Sequence, residues 1–278
     1  SQARFRARVA DRRSMDLIEV LWNRMTAAEL TAAAASDAIV LLPAGSTEQH
    51  GPHLTTGVDT FLGQEGCRRL ALRVAERRPI VVAPTIWMGL AEHHVAFGGT
   101  FSVSLATYYA LLRDLCDSIL RAGFTKILIV NSHGGNFAAL VAMTTDLARE
   151  LKAPIAVTTL YTLPHASGAY ADVLEDQKEV HHACEAETSM MMAAFPDCVR
   201  AQKISEAFGP SEVGSPMQRP LLVFKSFTEL TASGVIGDAR RASAAKGEKL
   251  FDIAVSLLAE KLIAGEPWES ESPVANCT

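Results

Sequence analysis

Short apolar, β-branched runs alternate along the chain with longer stretches in which apolar residues recur at helical spacing. The runs AIVLLPAG (38–45), PIVVAPTIW (79–87), KILIVNSHGG (126–135) and PIAVTTLY (154–161) read as strands. Between and after them, 60–78, 104–122, 136–152, 182–195 and 243–264 read as amphipathic helices. Successive strand–helix–strand units predict a mainly parallel sheet with helices on both faces, and hence an α/β fold. Segments 162–181 and 205–241 lose this periodicity and read as long excursions over the sheet, the kind of loop that carries function. One domain is expected over 1–278, with an arm at 1–14 and a tail at 266–278.

The chain has 278 residues, 49% of them hydrophobic, so it is long enough to bury a large core without disulfides or a structural metal. Any metal is then expected to serve chemistry. Lys and Arg number 26 against 31 Asp and Glu, and no basic block occurs, which argues against nucleic acid or an anionic membrane as partner. No run approaches the roughly 18 apolar residues of a membrane span. Cys67, Cys116, Cys184, Cys198 and Cys277 are odd in number and lack ligand spacing, which predicts free thiols in a reducing cytoplasm. Five arginines in the first thirteen residues, with no apolar stretch behind them, read as a solvated or subunit-contacting arm rather than a secretory signal.

Three polar clusters follow apolar runs. In LLPAGSTEQHGPHLTTGVDT, Glu48, His50, His53 and Asp59 sit directly beyond a buried-looking strand. Such groups are costly to bury unless paired or bound to a cation. In IVNSHGGNFAAL, His133 stands at a strand's carboxyl end beside Gly134, Gly135 and Asn136, where a tight turn can meet a ligand. Asn131 and Asn136 have an equally good use in satisfying turn backbone. In VHHACEAETSMMMAAF, His182, Glu185 and Glu187 open a helix, where helix capping alone accounts for each acid. Together these hard oxygen and imidazole donors suit Zn, Mn or Fe(II) rather than calcium, and the lack of clustered cysteine speaks against a closed structural zinc site.

The signatures PAGSTEQHGPHLTTGVDT, GLAEHHVAFGGTFSVS, NSHGGN, HACEAETS and GVIGDARRAS resemble those of the creatininase family, over about residues 15–265. The resemblance implies a three-layer α/β/α sandwich, a hexameric assembly and one or two divalent metals per chain. It implies Glu48, His50, Asp59 and His133 as metal ligands, with Asp59 bridging and His182 exchanging protons with substrate. Where creatininase has a further glutamate ligand this chain has Gly135, so Glu187, or alternatively Glu185, is expected to complete the second site. His181 and Cys184 also depart from creatininase, which points away from creatinine itself.

The expected activity is metal-dependent hydrolysis of a C–N amide bond, in a cyclic amide or formamide, by a metal-activated water. Gly134, Gly135, Asn136 and His93 are expected to contact the small-molecule substrate. Two alternatives remain open: a hydrolase or lyase of a modified sugar, and a noncatalytic binding protein on the same fold.

Overall fold

The computed structural model describes residues 18–211, Leu221 and 223–269. The expected 1–14 arm, most of the 266–278 tail and part of the 205–241 excursion lie outside the described residues.

Four parallel strands form one sheet in the order β2-β1-β3-β4: β1 Ile39–Ala44, β2 Ile80–Val82, β3 Lys126–Asn131 and β4 Ile155–Thr159. Each lies inside its predicted run but is shorter. The register pairs Ile39 with Ile80 and Lys126, and Ile127 with Ile155. Described helices are α1 Ala27–Ala35, α2 Val58–Ala75, α3 Leu105–Arg121, α4 Gly134–Leu151, α5 Thr162–Ser167, α6 Glu185–Ala194, α7 Phe227–Leu230 and α8 Ala244–Ile263. Ser104 caps α3 by accepting from Thr107 N–H, and Ser243 caps α8 by accepting from Lys246 N–H, as short hydroxyl side chains do at helix starts. The 162–181 excursion is not all loop, since it holds α5.

Alternation along the strands sorts the core into two layers. Val40, Leu42, Val81, Ile127 and Ile129 face Tyr108, Leu112 and Cys116 of α3 and Leu140, Met143 and Leu147 of α4. Ile39, Leu41, Ile80, Val82, Leu128 and Val130 face Cys67, Leu70 and Val74 of α2 and Val255, Leu258 and Leu262 of α8. Apolar area removed from water at about 25 cal/mol per Å² drives both layers together. The result is the expected α/β/α sandwich with a parallel sheet. A third cluster joins Val58 and Leu62 of α2 to Met190 and Met191 of α6 and Leu250 and Phe251 of α8, which seats α6 against both helices. Gly247 lets α6 and α8 touch, because a Cβ there would lie 2.0 Å from Ser189 O.

Among the described residues, no helix is long and apolar enough to cross a membrane. Cys67, Cys116, Cys184 and Cys198 are free thiols, and burial pushes Cys116 and Cys184 each up to about 12.

Candidate metal centre

The chain beyond β1 is folded back onto the start of α2. Glu48 N–H donates to Thr56 O at 2.9 Å and Thr60 Oγ1 donates to Ser46 O at 2.9 Å. This brings Glu48 and His50 over Asp59 in the first turn of α2. Beyond β3, the Asn131 side chain grips the main chain of His133, donating to its carbonyl at 2.7 Å and accepting from its N–H at 3.2 Å. Ahead of α6, Ala183 takes φ +53°, and its N–H donates to Glu187 Oε2 at 2.6 Å.

The resulting cluster is almost dry: Glu48, His50, Asp59, His133 and Glu187 are all buried. His133 Nδ1 lies 3.0 Å from Glu48 Oε2 and 3.1 Å from Asp59 Oδ2. His50 Nε2 lies 3.3 Å from Asp59 Oδ1 and 3.7 Å from Glu187 Oε2. Asp59 thus offers one oxygen to each histidine. Glu48, Asp59 and His133 form one set of converging donors, and His50, Asp59 and Glu187 form another.

The far nitrogens explain these near ones. His133 Nε2 is 3.3 Å from Leu90 O, and His50 Nδ1 is 3.2 Å from Glu48 O. A main-chain carbonyl only accepts, so each of those ring nitrogens carries the hydrogen, and the opposite nitrogen turns a lone pair on the carboxylates. Lone pairs facing anions require a positive charge between them. Glu48 Oε2, His50 Nε2 and Asp59 Oδ2 make no hydrogen bond despite these neighbours, and they are buried. A divalent cation fits this donor set, and the carbonyl-tethered imidazoles are the usual support of histidine ligands.

Without a cation, protons take its place. Burial opposes charge on His50, but Asp59, Glu187 and Glu48 overcome it and hold the imidazole up at about 9. Burial also opposes charge on His133, and Glu48 and Asp59 raise it well above the ordinary histidine value. Asp59 is pulled below the usual carboxylate range by His50 and His133 against the effect of burial. Burial pushes Glu48 upward, and pushes Glu187 up to about 8.

His182, His94, His93 and His53, around the cluster, are instead held below the ordinary histidine value. His182 is lowered well below its ordinary value, first by burial and then by charge on His50. Its Nε2 is 2.8 Å from Gln49 O and its Nδ1 is 3.6 Å from Glu48 Oε1. Burial also lowers His94, and lowers His93 and His53 each to about 4. Phe227 of α7 packs on the rings of His94 at 4.0 Å and His182 at 4.8 Å between centroids, closing one wall.

The chain matches the creatininase family, described as creatinine amidohydrolase, over residues 23–262. It belongs to the creatininase family. One relative is the 3-dehydro-scyllo-inosose hydrolase of Thermotoga maritima, 29% identical over 81% of this chain and 76% of that protein. Another is the mycofactocin precursor peptide peptidase of Mycolicibacterium smegmatis, 30% identical over 82% of this chain and 86% of the relative. A solved structure of creatininase with Mn superimposes with a TM-score of 0.75 at 25% identity, covering 90% of this chain and 99% of the other.

Two of the expected site residues, Glu185 and Asn136, are engaged elsewhere. The carboxylate of Glu185, the alternative ligand, accepts from Glu175 N–H, Asp176 N–H and Lys246 Nζ, tying the Glu175–Asp176 bend to α8. Asn136, expected on the substrate, is fully buried and spent as a brace, accepting from Leu90 N–H at 2.9 Å and donating to Gly45 O at 3.1 Å. Gly135 presses on the His133 ring, where a Cβ would stand 2.4 Å from Nε2, whereas Gly134 is open. His93 is half-buried and stacks on His133, with centroids 5.7 Å apart. Gln49 carries no sequence signal of its own, whereas His94, like His53 and His93, reads as a residue that faces the pocket. His94 Nε2 lies 3.2 Å from Glu48 Oε1, and Gln49 bridges His94 and His182. Adjacent histidines look alike in sequence, so only the 3-10 turn at Glu92–Phe97 tells which one faces the carboxylate.

Proposed function

We propose that this protein is a metal-dependent hydrolase of a small molecule, cleaving a C–N amide bond. Glu48, Asp59 and His133 would hold one ion and His50, Asp59 and Glu187 a second, with zinc, manganese or ferrous iron matching their chemistry. The observation that carries this reading is Asp59, which presents one oxygen to each of two lone-pair-bearing histidines. Bound ions of this kind supply Lewis-acid polarisation of a carbonyl and an acidified water.

The chain's own residues supply the remaining steps. His182 is neutral and turns Nδ1 toward the cluster, so it takes up the proton released as water attacks. It then returns that proton to the departing nitrogen. Phe227 and the buried histidines keep bulk water from competing. The open approach at Gly134 leaves room for substrate beside the start of α4.

A screen of cyclic amides, formamides and short peptides against zinc- and manganese-loaded protein tests the assignment. Turnover of one of these, lost on chelation, is the expected outcome. Turnover of none, or turnover that survives chelation, would sink it. The similarity to the inosose hydrolase supports a second reading, a metal-dependent hydrolase of a modified sugar, so keto-cyclitols belong in the same screen.

A further inference from the structure

We infer that Gln49 fixes the tautomers of His94 and His182 and thereby sets which ring donates to Glu48 and which accepts protons beside it. This rests on the metal-site reading of Glu48 given above. The amide flip is determined first: Gln49 Oε1 accepts from Gly51 N–H at 2.9 Å, which turns Nε2 inward. Three atoms then surround Nε2: His182 Nε2 at 2.9 Å, His94 Nδ1 at 3.0 Å and Gly234 O at 3.2 Å.

An amide nitrogen has only two hydrogens to give. His182 Nε2 is also 2.8 Å from the main-chain oxygen of Gln49, which only accepts, so that nitrogen carries a hydrogen and cannot receive another. The amide hydrogens therefore go to Gly234 O and His94 Nδ1. His94 is left with its hydrogen on Nε2, 3.2 Å from Glu48 Oε1. His182 is left with Nδ1 bare, 3.6 Å from the same oxygen.

The main chain and side chain of one residue thus give two neighbouring rings opposite roles. His94 holds one oxygen of Glu48, and Glu48 Oε2 stays free of hydrogen bonds for a cation. Water has little access to scramble this arrangement, because Gln49 and His94 are both buried. The same contact gives the GVIGDARR stretch a purpose. Gly234 adopts φ +79°, and a Cβ there would stand 2.2 Å from Gln49 Oε1, so a side chain would push the amide off its partners. Gln49 and His94 are positioning residues that act through Glu48 and His182.

Long-range proton–nitrogen correlation spectra of protein labelled with ¹⁵N-histidine, metal-free and zinc-loaded, read the ring hydrogens directly. Both His94 and His182 should show the Nε2–H pattern in the wild type. In Gln49→Met, His94 should lose its single tautomer, and in Gln49→Glu it should move to Nδ1–H. Zinc affinity should fall about 10- to 100-fold in both variants, the usual effect of losing support for a ligand. A wild-type His94 carrying its hydrogen on Nδ1, or a Gln49→Met protein with unchanged spectra and zinc affinity, overturns the inference. The wild-type spectrum decides even where a variant does not fold. Because it records hydrogens rather than turnover, a failed substrate screen leaves this result independent.

Discussion

Ser132 Oγ donates to the main-chain oxygen of Asp59 at 2.7 Å, tying the residue before His133 to the first turn of α2. The same hydroxyl lies 3.3 Å from Ala44 O at the end of β1. One small side chain thus sets the spacing between Asp59 and His133. Replacing Ser132 by Ala should cost about 1 kcal/mol of stability and weaken metal binding about 10-fold. Urea melts and a metal titration check both, and unchanged metal affinity would remove Ser132 from the support of the centre.

The sharing of Asp59 predicts unequal losses of metal. Asp59→Asn should empty both donor sets, whereas Glu187→Gln should spare the set formed by Glu48, Asp59 and His133. Elemental analysis of the two purified variants should find essentially no ion in the first and about one fewer than wild type in the second. Equal metal content in both would refute a bridging role.

Metal binding and proton loss must be coupled. With no cation bound, His50 holds its proton up to about 9 and Glu187 up to about 8. Ligands must be deprotonated, so adding zinc near neutral pH should release protons, and affinity should climb with pH toward 9. For the metal-free fold the sign reverses. Both groups bind protons more tightly folded than unfolded, so His50 adds stability that is complete below its unfolded value of 6.5 and is lost as pH rises through about 9. Melting temperatures of chelated protein should therefore decline across that window while those of zinc-loaded protein hold or rise. A chelated protein that gains stability over the window would contradict the assignment.

Gly247 sets how closely α6 approaches α8. Gly247→Ala places a methyl against Ser189 O and Met190 N, so the helices must part, at a cost of about 1–3 kcal/mol. Because α6 carries Glu187, the lesion should also reach the second donor set, and metal content together with a thermal melt would show it. Loss of stability with both ions retained would confine the effect to packing.

The strands and main helices were legible because apolar runs and helical spacing are dictated by burial on both faces of a sheet. Strand lengths were not: β2 stops at Val82, beyond which a single isolated bridge pairs Ile86 with Ala44. At the site, acids and histidines beyond strand ends announced themselves by the cost of burying them. Glu187 is expected ahead of Glu185, but spacing alone does not decide between them: residues two apart on a helix point about 200° apart, and only the seating of α6 against α2 and α8 fixes which faces inward. Asn136 reads in sequence either as a substrate group or as a backbone brace, because the two main-chain groups its amide matches meet only after folding.

The donors of the centre come from the turn after β1, the start of α2, the turn after β3 and the first turn of α6, segments far apart in the polypeptide. An ion gripping them, as proposed, would work as a removable cross-link, shrinking the loops available to the unfolded chain much as a covalent bridge would. On the proposed metal reading, availability of the ion would govern how long the protein survives heat and proteases, and a metal-starved cell would lose the protein itself.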